Sequence, residues 1–82
     1  LHTEMVTLLD QIAVFRQTVT NYQSLLEGEK IKFRGGESSL FIVNSRENSL
    51  VNAEIKLVTL ISKFMATKAK FYQATGSFAL NL

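Results

Sequence analysis

The 82-residue chain contains no cysteine, no proline and no tryptophan, and its glycines number only four. The missing cysteine excludes a disulfide scaffold, a Cys-ligated zinc and a thiol nucleophile, and the missing proline excludes a polyproline linker. Long apolar runs are also absent. No uninterrupted apolar stretch exceeds four residues, as in Leu40-Phe41-Ile42-Val43, far short of the roughly 18 that a membrane-spanning helix needs. Charge of one sign is not concentrated either. Nine Lys/Arg against seven Asp/Glu give +2, with no dense basic block to track phosphates, so nucleic acid is not an expected partner. The opening Leu-His-Thr-Glu lacks the basic-then-apolar layout of a signal peptide. A start in mid-pattern without Met reads as a piece of something longer.

Apolar side chains, by contrast, are in surplus. Hydrophobic residues make up 46% of the chain and charged residues 20%, more apolar surface than a chain this short readily buries alone. Neighbours are therefore expected.

The apolar positions are ordered. Leu1, Met5, Leu8, Ile12, Phe15, Val19, Tyr22 and Leu26 alternate spacings of four and three, a heptad seam that continues past Glu29 to Phe33. A strand would need period two, and Thr7, Asp10 and Gln17 fall where its apolar face would lie. The pattern predicts a helix over 2–34, with Lys30, Lys32 and Arg34 complementing the negative end of its dipole. Gly35-Gly36-Glu37-Ser38-Ser39 is the one strong interior break, pairing glycines with helix-starting residues. Beyond it, Leu50, Ala53, Leu57, Leu60, Phe64, Thr67, Phe71 and Ala74 form a second seam, extending back to Arg46 and Val43. This predicts a turn at 35–38 and a helix over 39–74, capped by Ser38 or Ser39 and stopped at Thr75-Gly76; residues 77–82 are too short to classify.

The expected fold is all-α: an antiparallel helical hairpin over 1–76 with legs of about 50 Å at 1.5 Å per residue. The second helix carries an additional apolar register, Val51, Ile55, Val58, Ser62, Met65, Ala69 and Tyr72, which one partner helix leaves uncovered. Val51, Ile55, Val58, Met65 and Tyr72 are thus candidates for packing between hairpins. Polar stripes on Thr3, Thr7, Asp10, Gln17, Asn21 and Ser24, and on Asn44, Asn48 and Asn52, should face water. Several such hairpins side by side would build a bundle or the wall of an α-helical barrel.

No constellation suits catalysis. His2 has no partner for base or ligand duty, and Glu27 and Glu29 point to different sides of a helix. Glu47 and Glu54 stand about 10 Å apart. Gly36-Glu37-Ser38-Ser39 lacks the second Gly of a nucleophile turn, and the Gly pair lacks the spacing and the Lys of a phosphate loop. An enzyme, a cofactor and a metal are not expected. Phe41, one turn beyond the break, has little to bury it within a two-helix hairpin, so it is either packed by a neighbour or offered to a partner. Arg46, on a seam position, is either a snorkelling side chain or the donor of an ion pair to a neighbouring hairpin.

Tyr22 to Leu26, Glu29-Lys30, Phe33-x-x-Gly36-Glu37-Ser38-Ser39-Leu40, Asn44-x-Arg46-Glu47-x-x-Leu50-x-x-Ala53 and Ala74-x-Gly76 together resemble the C-terminal repeat of TolC-like outer-membrane efflux proteins, over about residues 19–77. The resemblance implies a trimeric channel of the Gram-negative outer membrane. Its β-barrel, outside this sequence, makes the membrane contact, and its helical barrel extends into the periplasm. It also implies that the turn is the periplasmic tip where an adaptor protein docks, linking the channel to an inner-membrane pump. Carried over by position, the tip comprises Phe33, Gly35, Gly36, Glu37, Ser38, Ser39 and Leu40. Ile42 departs from the members that place an Asp there, so an acidic ring at the entrance does not carry over. Two other readings stand beside this one: a structural coiled-coil hairpin that dimerises into a four-helix bundle, and the hairpin of an adaptor protein.

Overall fold

The computed structural model describes the backbone of residues 2–80 and the side chains of residues 2–74. Two helices, α1 (His2–Arg34) and α2 (Leu40–Leu80), fold back on each other as a hairpin. The rod measures 68 × 15 × 15 Å. Its radius of gyration, 19.2 Å, compares with about 12 Å for a compact domain of this length. Its accessible surface is 6069 Å², against about 4,900 Å² for a globular monomer of the same mass. An isolated hairpin therefore leaves on the order of 1,000 Å² more surface in water than a globule would.

The heptad seams meet as the spacing predicts. Leu8, Ile12 and Leu60 form the central core, flanked by half-buried Phe15, Leu57, Ile61 and Phe64. Leu26, Val43 and Ala53 continue it toward the turn. Apolar residues three and four apart place one stripe of each helix against the other, the geometry of a coiled coil. Near the open end the core closes on a polar contact, buried Thr67 donating to Glu4 at 3.5 Å.

The structure departs from the sequence expectations at several places. α2 begins at Leu40 rather than 39, so the connection covers 35–39. It also runs to Leu80, through the expected stop at Thr75-Gly76 and into the unclassified tail; Asn81 and Leu82 lie outside the described residues. Glycine in a helix costs only about 1 kcal/mol relative to alanine, so Gly76 alone does not stop one. The seams are also shorter than the spacing suggests. Phe33 is exposed because its rung lies where the chain already turns away, Ala74 is exposed, and Leu1 lies outside the described residues.

Gly28, inside α1, has nothing within 4 Å of where a Cβ would stand. Gly28→Ala is therefore expected to raise stability by about 1 kcal/mol through helix propensity alone, read as a higher thermal midpoint by circular dichroism at fixed protein concentration.

Candidate functional site

The closed end of the rod is built by three local devices. The first ends α1. Gly36 N–H donates to the Phe33 carbonyl at 3.1 Å and Glu37 N–H to the Lys32 carbonyl at 2.8 Å, the paired bonds of a Schellman motif with Gly36 in the left-handed position at φ 81°. The second starts α2. Ser39 Oγ accepts from Ile42 N–H at 3.3 Å, which makes Ser39 the N-cap and leaves Ser38 free for another role.

That role is the third device. Ser38 Oγ donates to Glu29 Oε2 at 2.5 Å, and Arg46 Nε donates to Glu29 Oε1 at 3.4 Å. One carboxylate thus ties the last turns of α1, the connection and the second turn of α2. The Glu29 side chain is 8% exposed and that of Arg46 is 44% exposed. Arg46 thus finds an ion-pair partner within its own hairpin. The Ser38 hydrogen bond holds the Glu29 carboxyl below its usual value of 4.5. Burial acts against it, while the Arg46 hydrogen bond and the charges of Lys32 and Arg46 reinforce it. A carboxyl whose folded value is lowered contributes stability that is complete above its unfolded value and is lost as pH falls through the folded one. Acidification from neutral pH to about 3 is therefore expected to lower the thermal midpoint, and Glu29→Gln to start lower at neutral pH and fall less on acidification.

Around these polar ties the tip surface is apolar. Phe41 is 80% exposed, and Phe33, Leu40, Ile42 and Ile31 are exposed with it. The tip residues named from the sequence, Phe33, Gly35, Gly36, Glu37, Ser38, Ser39 and Leu40, are therefore together at one end of the rod. Gly36 and Ser39 shape the turn, Ser38 is held by Glu29, and Phe33 and Leu40 face solvent. Glu29, Ile31 and Arg46 complete this end; sequence reasoning placed Arg46 near it but assigned neither Glu29 nor Ile31 to it. A signal for the ion pair was present: Glu29 and Arg46 are opposite charges on facing seams, eight and nine residues from the centre of the Gly-bearing break.

A second surface runs along α2. Val51, Ile55, Val58, Met65 and Tyr72 are all between 50% and 63% exposed, on the side of α2 turned away from α1. Val51, Glu54, Ile55, Val58 and Thr59 surround a shallow hollow within it. Among the described residues no helix is long and apolar enough to cross a membrane, and no group of His, Asp or Glu is placed to hold a metal ion. No protein family, no curated protein and no solved structure matches the chain.

Proposed function

We propose that this hairpin is a wall segment of a channel in the periplasm of a Gram-negative bacterium, part of a trimeric outer-membrane efflux or export protein, with its tip docking an adaptor. The observation that carries this proposal is the apolar tip, where Phe41 stands 80% exposed at the closed end of a 68 Å rod. A large aromatic side chain held in water beside a glycine turn is a poor use of apolar surface unless a partner covers it. Gly36 adds to this, since the missing Cβ lets a partner backbone approach. Further support comes from the outer stripe of α2, which a neighbouring hairpin in a wall would cover, and from the resemblance of the turn and its flanks to TolC-like proteins.

The test is capture of the cognate periplasmic adaptor by the full-length channel. Phe41→Ala is expected to weaken capture by at least tenfold, the cost of removing an interface hot spot, while helicity stays unchanged because Phe41 is largely exposed in the hairpin. A bulky residue at Gly36 is expected to weaken capture as well. Undiminished capture by Phe41→Ala and by the Gly36 variant would remove the docking assignment.

A further inference from the structure

The outer stripe of α2 is a complete heptad seam of its own. Val51, Val58, Met65 and Tyr72 form one row, Ile55, Ser62 and Ala69 the other, and beside the first row run Glu54, Ile61 and Lys68. On a helix wound at 3.5 residues per turn, the stripe lies about 150° from the face that meets α1. We propose that this stripe binds the same stripe of a second copy, antiparallel and centred on Leu60, so that two hairpins join back to back as a layer of four helices. In this pair the two tips point in opposite directions, unlike neighbours in a channel wall, so the pairing is a property of the hairpin itself and does not rest on the proposed function.

Three observations converge on that occupant and register. In an antiparallel pair centred on residue 60, Val51 stands opposite Ala69 of the second copy, Ile55 opposite Met65 and Val58 opposite Ser62. The flanking row then sets Glu54 beside the second copy's Lys68, Ile61 beside Ile61, and Lys68 beside Glu54. This row is therefore self-complementary in charge about its middle. Among the described residues neither Glu54 nor Lys68 has an ion-pair partner, and Lys68 Nζ lies 5.6 Å from the centre of the Tyr72 ring. A slip by one heptad toward the turn would bring Asn48 against Met65 and Glu54 against Ile61, trading apolar contact for buried polar groups.

The hollow is the second observation. Val51, Glu54, Ile55 and Val58 are the four residues that make a hole for a coiled-coil knob, and in this register the knob is Met65 of the second copy. Methionine's flexible thioether suits an irregular hollow. The third is area. The exposed stripe offers about 500 Å² per copy, so about 1,000 Å² in all, which reaches the size at which specific interfaces begin.

The experiment uses the 82-residue chain, which has no natural cysteine, so single-cysteine variants report one position each. Thr59→Cys, on the opposite flank near the two-fold centre, is expected to cross-link to itself rapidly with a short bis-maleimide. Val51→Cys is expected not to, because its two copies stand about 27 Å apart at 1.5 Å per residue. Glu54→Lys and Lys68→Glu are each expected to weaken self-association about tenfold in sedimentation equilibrium, since two attractive pairs become two repulsive ones. The double swap Glu54→Lys/Lys68→Glu is expected to restore it to within about twofold. Cross-linking of Val51→Cys as fast as Thr59→Cys, a double swap no tighter than the single ones, or a wild-type chain that stays monomeric at high micromolar concentration would each overturn the pairing.

Discussion

Leu60→Ala is expected to lower the stability of the hairpin by about 3 kcal/mol, within the range measured for fully buried leucines. Leu60 is 2% exposed, the least of the described residues that form the core, and it sits against Leu8 and Ile12 with Phe15, Leu57, Ile61 and Phe64 around it. A rod only two helices thick has a single file of core contacts. Losing the central one breaks the seam into two shorter pieces, and helices held by few tertiary contacts are marginal in water. In a chain of this size the loss corresponds to a drop in thermal midpoint of roughly 12–24 °C. The matching control is Leu9→Ala on the exposed side of α1, expected to change stability by less than about 0.5 kcal/mol. Thermal melts by circular dichroism at one protein concentration compare the two, since self-association makes the midpoint concentration-dependent.

Gly36→Val is expected to cost about 2 kcal/mol, and here the cause is backbone conformation. At φ 81° a Cβ meets the adjacent carbonyl, and a β-branched side chain makes this worse. Nothing stands within 4 Å of the position a Cβ would take at Gly36, so the cost comes from the dihedral and not from crowding. Gly35 shows the contrast. It has no positive φ, and a Cβ there would lie 3.6 Å from the Ile31 and Lys32 carbonyl oxygens, in ordinary contact. Gly35→Ala is therefore expected to be nearly neutral. Equal penalties at the two glycines, measured by denaturant unfolding, would contradict the assignment of Gly36 as the left-handed end of α1.

Much of the fold is legible in the sequence because a hairpin has few ways to arrange its apolar residues. Spacings of four and three leave only a helical stripe, and a Gly pair between two stripes leaves only a turn. Met5 to Leu26 and Leu50 to Phe71 accordingly meet as the periodicity requires. The end of α2 was not legible. Thr75-Gly76 has the composition of a stop, yet composition does not decide whether a helix continues. Glu4 meets Thr67, so α1 begins opposite about residue 69 and the last three turns of α2 extend beyond it.

The tip was legible in part. Its glycine and its exposed Phe41 follow from local pattern, but the clamp of Glu29, Ser38 and Arg46 depends on how the connection folds. Ser38 and Ser39 look alike in sequence, and only the geometry of the turn sends one to a carboxylate and the other to a helix cap. The outer stripe was legible throughout, since an apolar register beyond what one partner helix can cover is a property of the sequence alone.

Burial on both sides of α2, by α1 and by a second helix, is the requirement from which the rest follows, and sedimentation equilibrium of the unmodified chain together with its circular dichroism tests it most directly. Reversible self-association is expected, abolished by Val58→Glu with helical content retained at high protein concentration. A fully helical wild-type chain that remains a single copy at high micromolar concentration, with Val51, Ile55, Val58 and Met65 in water, would contradict it.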